Sequence, residues 1–248
     1  MRKYVLESCV DSVESALAAA RGGADRLELC ANLIIGGTTP AAALFQEIRK
    51  VTDIRIHVLI RPRFGDFCYT DYEFNMIREE VRMFRELGAE GAVIGILNPD
   101  GTLNMEQMEC LMEEAEGMSV TLHRAFDVCR DPIASLEQAK TLGIRTILTS
   151  GQKNVCAEGK DLLKTLVDKA GDDIEIMAGS GVSADVIREI APYTGVHAFH
   201  MSGKATMDSQ MVYRKEGVNM GLPLVSEFEI WRTEEEKIRE ARKVLDSF

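Results

Sequence analysis

The chain has 248 residues, 46% of them hydrophobic and 28% charged, so it can bury a large core and is not a disordered chain. Its 29 Lys+Arg against 40 Asp+Glu leave a formal net charge of −11, which excludes a general nucleic-acid or membrane-surface binder, since both partners are polyanions. A small basic pocket remains compatible with that balance. The six cysteines, at positions 9, 30, 68, 110, 129 and 156, show no Cys-x-x-Cys spacing. They predict reduced thiols in a cytoplasmic protein rather than a disulfide framework or a structural zinc site. No apolar run of about 18 residues is present, and Glu7 and Asp11 interrupt the N-terminal stretch before it reaches signal-peptide length.

Along the chain, short β-rich segments alternate with longer segments of helical period. Strands are predicted at 4–9, 26–30, 54–61, 91–97, 120–125, 146–150, 174–178 and 196–200. Helices are predicted at 12–21, 40–51, 71–87, 105–116, 132–142, 158–170 and 184–190, and a last one at 233–245 closes the chain. Gly23, Gly88, Gly143 and Gly195 stand where helices turn into the second, fourth, sixth and eighth strands, as left-handed helix ends require. Asp131-Pro132, Thr39-Pro40 and Ser183 read as helix starts. Eight βα units predict a single α/β domain over residues 1–248, a (β/α)8 barrel of the TIM type. An open doubly wound sheet is the alternative, but eight strands favour closure and no Gly-x-Gly-x-x-Gly follows the first strand. Residues 204–231 read as one long irregular connection before the C-terminal helix. Because it holds Met207, Met211, Tyr213, Leu222, Leu224 and Trp231, it is expected to fold over the barrel or join an oligomer contact.

Strand side chains alternate between faces. With Leu27, Leu29, Ile56, Val58, Ile60, Val120 and Leu122 turned to the helices, Glu7, Glu28, His57, Arg61 and His123 point into the barrel, and His200 joins them. A barrel interior without function would be filled by Val, Ile and Leu. These polar residues, with Arg124 and Asp127 beyond the fifth strand, are the catalytic candidates if the protein is an enzyme. In that reading Glu7 or Glu28 pairs with His57 or His123 for acid–base work, and Arg61 and Arg124 stabilise developing negative charge. Glu7, Glu28, His57 and His123 form an alternative ligand set for a hard divalent metal. The bland alternative is mutual neutralisation of Glu7, Glu28 and Arg61.

The C-terminal mouth, where barrel enzymes keep their chemistry, adds Arg63, Ser150, Gly179, Ser180, Gly181, Ser202 and Gly203. The runs Gly179-Ser180-Gly181 and Ser202-Gly203 follow the last two strands, where backbone N–H groups approach a phosphate or other small anion. Cys9 and Cys30 each stand two residues after a glutamate, on adjacent strands. If the register matches, two thiols there suit one soft monovalent ion such as Cu(I), and two small buried packing residues are the alternative.

The stretches LESCVDS, GADRLELCANL, GGTTP, IRPRFGDFCYTD, LHRAFD, LTSGQK, MAGSGV and MVYRKEGVNMG follow one another from the first strand to about residue 220. Together they resemble the CutC copper-homeostasis family. The resemblance implies a (β/α)8 barrel, a cytoplasmic location, self-association as a homodimer or larger homo-oligomer, and Cu(I) binding through Cys9 and Cys30. Two functions therefore stand side by side. One is copper handling through the paired cysteines. The other is a barrel isomerase, epimerase or lyase acting on a small phosphorylated or otherwise anionic substrate. The expected partner is a copper ion or a small anionic ligand, with no nucleic acid and no membrane.

Overall fold

In the computed structural model, which describes residues 4–218, 220–221 and 225–248, eight parallel strands close into a barrel in sequence order. They are β1 (Val5–Val10), β2 (Arg26–Leu29), β3 (Arg55–Leu59), β4 (Gly91–Ile94), β5 (Ser119–Leu122), β6 (Thr146–Thr149), β7 (Glu175–Ala178) and β8 (Ala198–Met201). The connecting helices are α1 (Val13–Gly22), α2 (Ala42–Arg49), α3 (Asp71–Glu86), α4 (Met105–Glu114), α5 (Pro132–Thr141), α6 (Lys160–Ala170) and α7 (Ala184–Thr194), and α8 (Glu235–Leu245) ends the chain.

Local chemistry sets the helix boundaries. The side chains of Ser12, Asp131 and Ser183 accept hydrogen bonds from the first-turn N–H groups of α1, α5 and α7, and Pro132 opens α5. Thr70 and Glu73 form a reciprocal capping box at α3. The four helix-to-strand glycines all adopt positive φ, between 72° and 93°. The Thr39-Pro40 start is not realised: α2 begins at Ala42 behind Ala41, with no side-chain cap. The Thr39 hydroxyl is engaged elsewhere, donating to Glu80 at 2.7 Å and accepting the Arg61 N–H at 2.9 Å.

Outward-facing residues such as Leu27, Leu29, Ile56, Val58 and Leu122 are fully buried between barrel and helices. Burial of each such side chain contributes about 1.5–3 kcal/mol. Among the described residues two small apolar groups stand apart from the main core, Cys9, Cys30, Leu59 and Val93 in one, and Leu148, Met177 and Ala198 in the other. Glycines on and just after β4 make room for polar rings. A Cβ on Gly91 would lie 2.5 Å from the His57 ring, and one on Gly95 would lie 2.7 Å from the His123 ring.

The 204–231 connection is not irregular throughout. Its ends pair as an antiparallel ribbon, β9 (Lys204–Asp208) with β10 (Glu229–Thr233), in register from Lys204↔Thr233 to Asp208↔Glu229. The C-terminal helix consequently starts at Glu235, not Thr233. Thr233 is held in the ribbon by its N–H donating to Ser15 Oγ at 3.1 Å and its hydroxyl donating to Ser202 O at 3.0 Å. Trp231 packs beneath the Lys204 ammonium, 4.0 Å from the ring centroid, and Met211, Val212 and Tyr213 are exposed. Leu222 and Leu224 lie outside the described residues.

Candidate functional site

Barrel closure builds the floor of the site. Glu7 on β1 is in register with Arg26 on β2 and His200 on β8. One carboxylate oxygen accepts from Arg26 Nε at 2.5 Å, and the other accepts from His200 Nδ1 at 2.7 Å. Burial opposes charge on Glu7, but Arg26 and then His200 outweigh it and hold this carboxyl well below the usual range. Glu28, two residues beyond Arg26 on β2, is driven the other way. Burial, reinforced by the Glu7 charge, raises it to about 7, against the pull of His200 and Arg26. His200 Nε2 lies 3.7 Å from Glu28. Burial opposes charge on His200, yet Cys9, Glu28 and Glu7 together push its pKa well above the ordinary histidine value.

Among the described residues neither His57 nor His123 is hydrogen-bonded to Glu7 or Glu28, although His57 stands in register with Glu28 across β2 and β3; His200 is the polar partner that both glutamates share. Among the described residues, the one group whose donor atoms converge for a metal is Cys9, Glu28 and His200, all within 4.8 Å of one another. Among the described residues the donor atoms of Glu7, Glu28, His57 and His123 do not converge as a hard-metal set: Glu7 is held by Arg26 and His200, and His57, though in register with Glu28, stays outside the convergent group. Glu7, Glu28 and Arg61 do not neutralise one another either, since Arg26 occupies that role.

Cys9 pairs across the strands with Glu28, and the residue offset places Cys30 beyond Cys9 along the barrel. The two cysteines share one buried cluster. The Cys30 thiol donates to the Val10 carbonyl at 3.4 Å, and burial together with Glu28 raises its pKa well above that of a free thiol.

Above this floor a cavity of about 1260 Å³ opens at the C-terminal mouth. Six basic side chains line it against four carboxylates, a local excess that the acidic chain as a whole does not share. Arg61 is its most telling residue, only 8% exposed. Its guanidinium donates to the carbonyls of Gly36, Gly37 and Gly65 at 2.8–3.3 Å, and among the described residues it has no carboxylate partner. His123 lines the same cavity and follows β5 as the cap of a 3₁₀ turn, Arg124–Val128. Burial, with the Arg61 charge, lowers its pKa to about 3. His57, deeper in the barrel, is lowered to about 4 by burial and does not line the cavity.

Arg124 and Asp127 both line the cavity but are bound to each other at 2.6 Å. Asp127 also accepts from Thr149, from the N–H and hydroxyl of Ser150, and from the N–H of Gln152. It therefore fastens the loop after β6, and Ser150 is a buried part of that clamp rather than a wall of the cavity. Arg63 is also spent on its own loop, bonded to Glu73 at 2.5 Å and Asp66 at 2.9 Å, and stands outside the lining. Of the glycine-rich loops, Ser180, Gly181, Ser202 and Gly203 line the cavity at the start of α7 and after β8, while Gly179 is set back against Leu148. Ser180 and Gly181 both hold positive φ, 73° and 72°. The residues that sequence reasoning did not place in the site are Arg26, His200 as acid–base partner, and Phe67, which lines the cavity beside Arg61 and His123. Arg26 shares the inward parity of Glu28, so the alternation held that signal; Phe67 carries none.

Comparison with known proteins identifies the relatives of this arrangement. The CutC family profile matches residues 4–205. The family protein CutC of Bacteroides thetaiotaomicron is 46% identical over 222 residues, 89% of each chain. The human copper homeostasis protein cutC homolog is 41% identical over 237 residues, 95% of this chain and 87% of the human one. The crystal structure of CutC from Streptococcus agalactiae superposes with a TM-score of 0.77 at 33% identity, covering 80% of this chain and 98% of that one. With a family match over most of its length and relatives at this level of identity, the chain belongs to the CutC family.

Proposed function

We propose that the barrel mouth is the active site of an enzyme acting on a small anionic substrate. The observation that carries this reading is Arg61, a nearly fully buried side chain on the cavity wall with carbonyl partners but, among the described residues, no counter-charge. A buried charge without a counterion costs several kcal/mol, and a bound anion supplies the missing partner. The positive-φ turn at Ser180-Gly181, leading into the start of α7, gives the same substrate a second anchor. Glu28, poised near 7 at the cavity edge and backed by His200, is the candidate proton acceptor and donor. Isomerisation, epimerisation and lyase chemistry all use such a group. A thermal-shift screen of phosphorylated and carboxylate metabolites on the wild type and Arg61→Met tests the reading. A ligand at 100 times its Kd should stabilise the wild type by about 2.7 kcal/mol, a rise of roughly 5–11 °C, and should leave the variant unmoved. No stabilisation by any member, or equal stabilisation of both proteins, would sink it.

A second reading has its own support. Cys9, Glu28 and His200 converge, and Cys30 packs in the cluster of Cys9. A thiolate is a soft donor that selects Cu(I) and an imidazole is a common copper ligand, so the pair fits Cu(I) as cargo, and the human relative is named for copper homeostasis. Cys9 and His200 would hold the ion, and Cys30 would join by turning away from the Val10 carbonyl. An anaerobic Cu(I) competition titration decides this: one tight site lost in Cys9→Ser/Cys30→Ser supports it, and affinity retained by that variant removes it. Six free cysteines fit a cytoplasmic location, and no helix among the described residues is long and apolar enough to cross a membrane. The family resemblance further implies a homo-oligomer, for which the exposed Met211, Val212 and Tyr213 are the candidate contact; sedimentation of a Val212→Glu/Tyr213→Glu variant checks it.

A further inference from the structure

Two buried donors on the cavity wall have no hydrogen-bond partner among the described residues, Arg61 Nε and His123 Nε2. The His123 hydrogen can be placed. The Ala125 N–H donates to His123 Nδ1 at 3.2 Å, so Nδ1 is an acceptor and the neutral ring carries its hydrogen on Nε2. Burial and the Arg61 charge keep the ring neutral at physiological pH. Among the described residues both groups are therefore donors without a hydrogen-bond partner, each on a side chain more than nine-tenths buried. Interiors rarely leave such groups unmatched, and each exception calls for a reason.

Phe67 connects them. Its ring centroid lies 4.8 Å from that of His123, and the Arg61 guanidinium carbon lies 4.8 Å from the centroid of the same ring. Phe67 itself lines the cavity, on the loop between β3 and α3 that has no regular structure. Phe67 is thus the shared neighbour of both donor side chains.

We propose that Arg61 and His123 form a two-donor site for a single C=O oxygen of the substrate, carboxylate or carbonyl, covered by Phe67 until the ligand enters. The inference rests on the anionic-substrate reading and narrows it. The substrate carries a C=O group in addition to the anion seated near Ser180 and Gly181, as a phosphorylated hydroxy acid or hydroxy carbonyl compound does. A neutral imidazole beside a guanidinium suits an oxygen that gains negative charge as a neighbouring proton leaves, because the donor is aimed at that charge without surrendering its own proton.

Three probes of similar size separate the possibilities: phosphoglycolate carries a carboxylate, glycolaldehyde phosphate a carbonyl, and ethyl phosphate neither. Calorimetric titration of the whole chain should show at least one of the first two binding about ten-fold or more tighter than ethyl phosphate, the scale of one hydrogen bond to a charged group. The tighter probe names the C=O group. The preference should vanish in His123→Phe. In the wild type, the imidazole ¹⁵N spectrum should show the neutral Nε2–H tautomer of His123 from pH 5 to pH 8, with its Nε2–H signal moved by the preferred probe and not by ethyl phosphate. Titration of His123 near pH 6.5, or an Nδ1–H tautomer, would overturn the inference without any variant. Equal binding of all three probes would overturn it too, while leaving the anionic-substrate reading intact. Failure of all three to bind would overturn both.

Discussion

A histidine held neutral by burial makes a protein sensitive to acid, and His123 allows the effect to be calculated. Its pKa falls from 6.5 to about 3 on folding. A depressed histidine contributes stability that is fully present above pH 6.5 and is lost as the pH falls toward the folded value, because the unfolded chain binds the proton first. Between pH 7 and pH 5 the unfolded histidine goes from about a quarter protonated to almost fully protonated while the folded one stays neutral, so His123 alone removes about 2 kcal/mol of stability. Other groups act in the same window. His57, lowered to about 4, adds a loss of similar size, whereas Glu28, raised to about 7, acts in the opposite sense. Its stability contribution is full below pH 4.5 and disappears as the pH rises through 7. Comparing the wild type with His123→Gln cancels both, along with any pH-independent cost of replacing the turn cap. Urea unfolding at pH 7 and pH 5 should show the variant losing about 2 kcal/mol less than the wild type over that interval. Equal losses in the two proteins would refute the neutral buried His123.

Two further variants probe the architecture that presents the site. Gly91→Ala puts a Cβ 2.5 Å from the buried His57 ring. It should cost about 1–3 kcal/mol, most of it recovered in Gly91→Ala/His57→Ala, as a double-mutant cycle by chemical unfolding would reveal; an unperturbed single variant would contradict the packing. Glu7→Gln strips the charge from the anion shared by Arg26 and His200 and should destabilise by about 3–5 kcal/mol. The same substitution should bring the His200 pKa down, read from its ring proton shifts; an unchanged His200 titration would show that Glu7 does not hold it.

The barrel was legible because its local rules agree. Inward and outward positions alternate on each strand, Gly23, Gly88, Gly143 and Gly195 mark the joints, and Asp131 and Ser183 cap the helices they precede. The inward polar residues were legible for the same reason. Their partners were not. Glu7 meets His200 only when β8 closes against β1, 193 residues away, and the register between strands has no signature in one strand's own alternation. That is why His57 and His123 stood in for His200, and why Arg61 was offered a glutamate that Arg26 already held. Asp127 and Ser150 show the same limit: their residue types fit a mouth, but the loop uses them to hold itself together. The β9–β10 ribbon escaped because its strands are short and its pairing joins segments some twenty residues apart in sequence.

The central claim is that the cavity beneath the barrel mouth binds a small anion. An anomalous-scattering map of crystals equilibrated with tungstate, a tetrahedral dianion, tests it most directly. The account predicts a single ordered peak inside the cavity, within hydrogen-bond distance of Arg61 or of the Ser180–Ser183 turn, and its disappearance in Arg61→Met or Gly181→Asp. Peaks confined to the outer surface, with the cavity free of tungstate, would contradict the account.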